Sequence, residues 1–166
     1  GLEPEAVAYA APDGQAAGGG LTVESCTFIG KVHTALLTAS NSIYHARLAA
    51  ADSWSAPVKA ERQQVGYVRY SHVPLGSVVP PRYACTPKDA PQAQEVAPLF
   101  ASRRYGSPAY VQLHAACPCS IRSGADDQGE MGVYHHQYAP QREAGLRVRL
   151  EEYLRFGLEA GLFLVS

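Results

Sequence analysis

Asp126 and Asp127 stand side by side in the polar stretch Ser123-Gly124-Ala125-Asp126-Asp127-Gln128-Gly129-Glu130, with His135 and His136 shortly after. Carboxylates with an imidazole in reach are the residue types that hydrolysis uses, one group to protonate a leaving group and another to activate water. Asp126, Asp127 and His135 are therefore the candidate catalytic residues. Against them, a Gly-rich loop also favours Asp as a cap for backbone N–H groups, and a solvated turn accounts for the pair without chemistry. A second donor set is Cys117-Pro118-Cys119 with His135, joined by His114 and His136, since thiolates and imidazoles are zinc ligands. The Cys-x-Cys spacing is not the usual Cys-x-x-Cys hairpin, and no second cysteine pair completes it. Buried thiols and exposed imidazoles are the plainer reading of Cys117, Cys119 and His135, and neither a metal nor an organic cofactor is expected. His33, His45 and His72 occur singly on strand-like segments and read as surface or corner residues. Arg103-Arg104 with Tyr67, Tyr70, Tyr83, Tyr105 and Tyr110 offers a sugar- or partner-binding face, or a seam that packs one sub-structure on another. No phosphate-binding glycine loop, Ser-His-Asp order or nucleic-acid motif is present.

Composition narrows the classes. The chain has 166 residues and a formal charge of −1, from 14 basic and 15 acidic groups, so no net field attracts nucleic acid or an anionic membrane. Eleven cations are Arg and three are Lys, and Asn41 is the single Asn, a bias that fits a high-GC bacterial genome. No apolar run reaches the roughly 18 residues of a membrane span. The first residues, Gly1-Leu2-Glu3-Pro4, show neither the charged start nor the apolar core of an export signal and do not include Met. The expectation is a segment of a longer protein, cytoplasmic or part of an assembled particle. Four cysteines (Cys26, Cys85, Cys117, Cys119) read as reduced thiols rather than a disulfide framework.

The elements that must position these residues begin with a repeat. Leu21 to Gly30 can be laid on Leu36 to His45, with Leu21 on Leu36, Ser25 on Ser40, Thr27 on Ser42, Phe28 on Ile43 and Ile29 on Tyr44. A fainter third copy matches Val58-Lys59-Ala60 to Leu36-Leu37-Thr38 and Val65-Gly66 to Ile43-Tyr44, at offsets of 15 and then 22 residues. Such spacing, with no helical periodicity from 21 to 80, predicts a mainly β fold: a short right-handed parallel β-helix of about three coils. Leu21, Val23, Leu36, Val58 and a Phe28/Ile43/Val65 column point inward. Ser25/Ser40, Cys26/Asn41 and Thr27/Ser42 form corners, where Asn41 suits the left-handed bend. Val7-Ala8-Tyr9-Ala10 reads as an earlier strand, Pro12-Asp13-Gly14 as a turn and Gly66 to Val73 as a further strand.

The expected organisation is 1–73 as coils, 74–98 as a Pro-rich extended connection, and 99–166 as a mixed C-terminal cap. Within the cap, Tyr110 to His114 reads as a strand and 123–130 as a turn-rich excursion. Leu146, Leu150, Leu154 and Leu158, with charges between them, predict one amphipathic α-helix over about 141–159, opened by Pro140 and closed near Gly161. Leu162 to Val165 should be buried, beneath the helix or on the end of the coils.

Two stretches carry a resemblance. One runs from Leu21-Thr22-Val23-Glu24-Ser25-Cys26-Thr27 to Val79-Pro80-Pro81-Arg82-Tyr83. The other includes Arg104-Tyr105-Gly106-Ser107-Pro108-Ala109-Tyr110, Gly124-Ala125-Asp126-Asp127, Glu130-Met131-Gly132 and Arg147-Val148-Arg149-Leu150-Glu151-Glu152-Tyr153-Leu154. Together they resemble the C-terminal ends of large bacterial proteins with a pectin-lyase-like β-helix, associated with phage-tail-like contractile injection gene clusters. The resemblance implies a fold and a setting, and brings no catalytic residues with it. Asp126-Asp127, His135/His136 and Arg147-Val148-Arg149 follow the residue order of polygalacturonases, yet the Asn-Thr-Asp element is missing. A lyase needs carboxylates stacked for Ca²⁺, and Glu24, Asp52 and Glu61 share no column.

These readings favour a non-enzymatic structural or interaction module, the capped end of a β-helix in a larger bacterial assembly with protein partners. A polysaccharide hydrolase or lyase is the first alternative, and a carbohydrate- or protein-binding module the second.

Overall fold

The structure is a computed structural model that describes residues 4–162. Short runs of β-branched and aromatic residues, bounded by Gly, Ser and Pro, form nine strands among the described residues. They are β1 Val7–Tyr9, β2 Leu21–Glu24, β3 Thr27–Ile29, β4 Lys31–Thr34, β5 Leu37–Ser40, β6 Ile43–His45, β7 Val58–Ala60, β8 Gly66–Arg69 and β9 Arg82–Tyr83. Every strand pairing is parallel.

These strands do not make the single coiled β-helix that the repeat predicts. They divide among three separate small sheets, ordered β1-β4-β7, β2-β5-β8-β9 and β3-β6. With 24% strand and 18% helix, the balance is closer to α/β than to mainly β. Unequal spacing is the reason. Leu21 pairs with Leu37, Leu37 with Gly66 and Val68 with Arg82, steps of sixteen, twenty-nine and fourteen residues, so no constant period stacks equal coils.

The register also differs by one residue from the sequence alignment. Leu21 lies beside Leu37, Thr27 beside Ile43 and Phe28 beside Tyr44. A one-residue slip exchanges the faces of a strand, so Leu37 is buried and Leu36 only half-buried. Phe28 stacks flat on Tyr44, ring centroids 5.2 Å apart, and Val65 lies exposed outside the column assigned to it. Val58 pairs with Val32 rather than following Leu36. Val32, Leu37, Tyr44, Val58, Val68 and Val73 form the main core, where full burial of such side chains contributes about 1.5–3 kcal/mol each. Gly66 is required at its place: its φ is +91°, and a Cβ there would lie 2.1 Å from the carbonyl oxygen of Leu37.

One corner recurs. The residue after each strand of the four-stranded sheet, Ser25, Asn41, Tyr70 and Ala84, has positive φ, between 47° and 52°. The next residues, Cys26, Ser42, Ser71 and Cys85, each donate a side-chain hydrogen to the carbonyl two positions back, at 3.2, 2.7, 2.7 and 3.4 Å. Ser42 Oγ also accepts from Cys26 N, and Ser71 Oγ accepts from Ser42 N. The corner column is therefore Cys26/Ser42/Ser71/Cys85, not the pairs aligned by sequence. His33 and His72 are buried rather than on the surface.

Residues beyond Pro74 are partly sheet: Val78 bridges Lys59, β9 joins β8, and Thr86 bridges His72. A short helix α1, Ala90–Glu95, is capped by Asp89. Tyr110 to His114 is not a strand; Val111 takes φ 51° and only isolated bridges form, Phe100 with Leu113 and Ser102 with Tyr110. Two more helices follow, α2 Cys119–Arg122 and α3 Ala139–Tyr153. A second core of Ile43, Val96, Cys117, Ile121 and Met131 sits on the opposite face of β6.

Helix α3 begins near Pro140 as expected but stops at Tyr153, where Leu154 turns extended, so it falls short of the predicted 141–159. None of its residues is buried, Leu146 and Val148 are exposed, and Leu158 beyond its end is exposed too, so it is not the amphipathic cap over the strands. Its polar ties to the body include the pair Arg122 Nη2–Glu143 Oε2 at 2.9 Å and Gln141 Nε2, which donates to Asp127 O at 3.3 Å. The expected burial of Leu162 to Val165 falls largely on 163–166, outside the described residues; Leu162 itself is half-buried. No helix among the described residues is long and apolar enough to cross a membrane.

Candidate functional site

The loop after α2 is held, not excursive. Ala125 N donates to Gly129 O and Gln128 N to Ala125 O, both at 3.1 Å, and Gln128 adopts φ 64°. This tight turn presents Asp126 and Asp127 together. Asn41 anchors it from the sheet corner: its Nδ2 donates to Asp126 Oδ1 at 2.8 Å, and its Oδ1 accepts from Asp126 N at 3.2 Å. Gly132 N donates to Asn41 O at 2.7 Å and Val133 N to Thr27 Oγ1 at 3.0 Å. Met131, buried beside Ile43, supplies the apolar part of the contact.

The carboxylates and the imidazole converge. Gly129 N donates to Asp127 Oδ1 at 2.8 Å. A Cβ on Gly129 would lie 2.7 Å from that oxygen and 3.3 Å from His135 Nδ1, so only Gly fits between them without displacement. His135 opens the 3-10 turn His135–Gln137, and its Nδ1 lies 2.9 Å from Glu130 O. A carbonyl only accepts, so Nδ1 carries the hydrogen and Nε2 turns toward Asp127 Oδ2, 3.6 Å away. One ligand atom from each of Asp126, Asp127 and His135 lies within 4.8 Å of the others. Beneath them Glu130 is buried, and burial pushes its carboxyl above the usual range while Arg122 and His135 pull it back.

The structure thus brings together the three residues singled out for catalysis. Their arrangement is unlike a glycosidase pair, whose carboxyls flank the scissile bond about 5–9.5 Å apart; these are sequence neighbours on one side of the space, each with an oxygen already bonded. The cysteine set does not assemble. Cys117 is buried in the second core, with its thiol pushed up by burial, Cys119 is exposed, and neither joins the group around His135.

Sequence reasoning missed a second place, a cleft of about 630 Å³ lined by Tyr44, His45, Arg47, His72, Val96 and Arg103. Burial lowers both imidazoles, that of His72 to about 4, and Arg103 and Arg47 add to the effect at His45. The strand expected over 66–73 stops at Arg69, and the left-handed corner at Tyr70 breaks its alternation, so that Ser71, His72 and Val73 are all buried and the alternation gave no guide to His72. The tyrosines do not form one face: Tyr70 meets Tyr83 edge-on and Tyr105 meets Tyr110 in a different segment, while Tyr67 lies under Arg69.

Compared with protein-family models, curated proteins and solved structures, the chain matches none.

Proposed function

We propose that this chain is a non-enzymatic structural and interaction module that joins a larger bacterial assembly of the phage-tail-like kind. The observation that carries the reading is α3. Fifteen residues of helix stand with none buried, and Leu146, Val148 and Tyr153, followed by Phe156 and Leu158, expose apolar surface. Leu146 and Tyr153 share one side of the helix and Val148 lies on another, so a protein partner that covers them wraps the helix rather than a single stripe. The charges among these residues, Arg147, Arg149 and Arg155 against Glu151 and Glu152, are mixed in sign and leave a net of +1, too little to draw in a nucleic acid or an anionic membrane, so a protein subunit suits better. The resemblance to proteins associated with contractile injection gene clusters supports the setting. A scaffold role also agrees with Asp126 and Asp127, whose oxygens serve the loop.

The test is recovery of the chain from assembled particles. Wild-type chain is expected at fixed stoichiometry in purified particles, and the L146E/V148E double variant is expected to fall at least tenfold in the particle fraction with unchanged circular dichroism. Equal incorporation of the variant, or a chain that stays free and cleaves polysaccharide, contradicts the reading.

A further inference from the structure

We propose that Asp126, Asp127 and His135 bind one divalent transition-metal ion, which fastens the segment 123–138 to the corner at Asn41. Three observations converge on it. First, each candidate donor has one atom committed to the scaffold, while one ligand atom of each lies within 4.8 Å of the others. Asp126 Oδ1 is held by Asn41 Nδ2, Asp127 Oδ1 by Gly129 N, and His135 Nδ1 by Glu130 O. That pattern orients metal ligands: the imidazole gives its other N–H to a carbonyl, which fixes the tautomer with a bare Nε2.

Second, that Nε2 has no hydrogen-bond partner among the described residues, although the His135 side chain is only 8% exposed. It is aimed at Asp127 Oδ2 from 3.6 Å, too far for an N–H···O bond. Two donors bound at about 2.0–2.2 Å to one tetrahedral ion lie roughly 3.3–3.6 Å apart, so the spacing matches shared coordination better than an ion pair.

Third, Gly129 leaves out the Cβ that would crowd Asp127 Oδ1 and the His135 ring.

An imidazole nitrogen with two carboxylates suits Zn²⁺, Co²⁺ or Mn²⁺ over Ca²⁺ and Mg²⁺, which prefer all-oxygen shells of six or more donors. Three protein ligands leave at least one position for water, and both aspartates reach solvent. The inference is independent of the assembly reading, because a metal clip holds this segment whether or not the chain has a partner.

The experiment is calorimetric titration of the chelator-treated full chain with Zn²⁺ and with Co²⁺. One equivalent is expected to bind at micromolar affinity or tighter, and Co²⁺ to give visible absorption from its d–d transitions. D127N and H135Q should each weaken Zn²⁺ at least tenfold, whereas the C117S/C119S double variant should bind as wild type. Ca²⁺ and Mg²⁺ should bind at least a hundredfold more weakly. D127N, at a half-exposed loop position, serves where H135Q disturbs folding. A folded wild-type chain that takes up no Zn²⁺ at millimolar concentration overturns the proposal. So does binding that survives D127N and H135Q and vanishes in the cysteine variant, or equal affinity for Ca²⁺.

Discussion

His72 is buried against β6: its ring nitrogen Nδ1 lies 3.2 Å from Tyr44 O, and the ring packs between β6 and the segment near Val96. Burial holds it neutral down to about pH 4, whereas an unfolded imidazole titrates near 6.5. As pH falls, the unfolded chain therefore takes up the proton first. Stability should be full above about pH 6.5 and fall between 6.5 and 4, by on the order of 3 kcal/mol for this group. His45 acts in the same direction, and Glu130, raised by burial, in the opposite one. Urea unfolding from pH 7 to 4 should show this fall in wild type and a much flatter profile in H72Q; parallel profiles would contradict a buried neutral ring. At this scale Asn41 was legible, because Asn tolerates the left-handed bend that its φ of 50° shows. The same bend at Ser25, Tyr70 and Ala84 was not, since the sheet register imposes it on residues with no such preference. Asp126, Asp127 and His135 were legible as types; the anchor Asn41 gives them was not, because 85 residues separate the partners.

The corner column shows how short strands stay in register. Ser42 Oγ accepts from Cys26 N at 3.2 Å and donates to Ser40 O at 2.7 Å. S42A leaves the Cys26 N–H unpaired and should cost about 1–3 kcal/mol in urea unfolding. S42C should cost less, because Cys26 and Cys85 already make the same side-chain donation to the carbonyl two residues back. Equal losses in both variants would show that the column does not set the register. The repeat itself was visible in the sequence, but its phase was not. Leu36 and Leu37 are both apolar, and only parallel pairing with Leu21 decides which turns inward. The helix was visible from its leucines and Pro140, yet spacing alone says only that a face is apolar, not that anything in this chain covers it.

Across the whole molecule, β6 joins the two halves. Tyr44 faces the core of the strand sheets and Ile43 faces the second core with Met131 and Ile121, so neighbouring residues of one strand belong to different cores. The C-terminal segment is docked there by Asn41, Thr27 and Met131, and α3 extends from it, tied by the salt bridge of Arg122 and Glu143 and by Gln141 on Asp127 O. The leucine spacing and Pro140 predict a helix at this end that closes the strands. Its exposed Leu146, Val148 and Tyr153 point instead to a contact beyond the chain. Amide hydrogen exchange over 139–153 tests that claim most directly, in the isolated chain and in the assembled particle. A 15-residue helix without a packed face is marginal in water. Its amides should exchange within about tenfold of the unstructured rate when isolated and about a hundredfold more slowly in the particle. Equal rates in the two states would contradict the account.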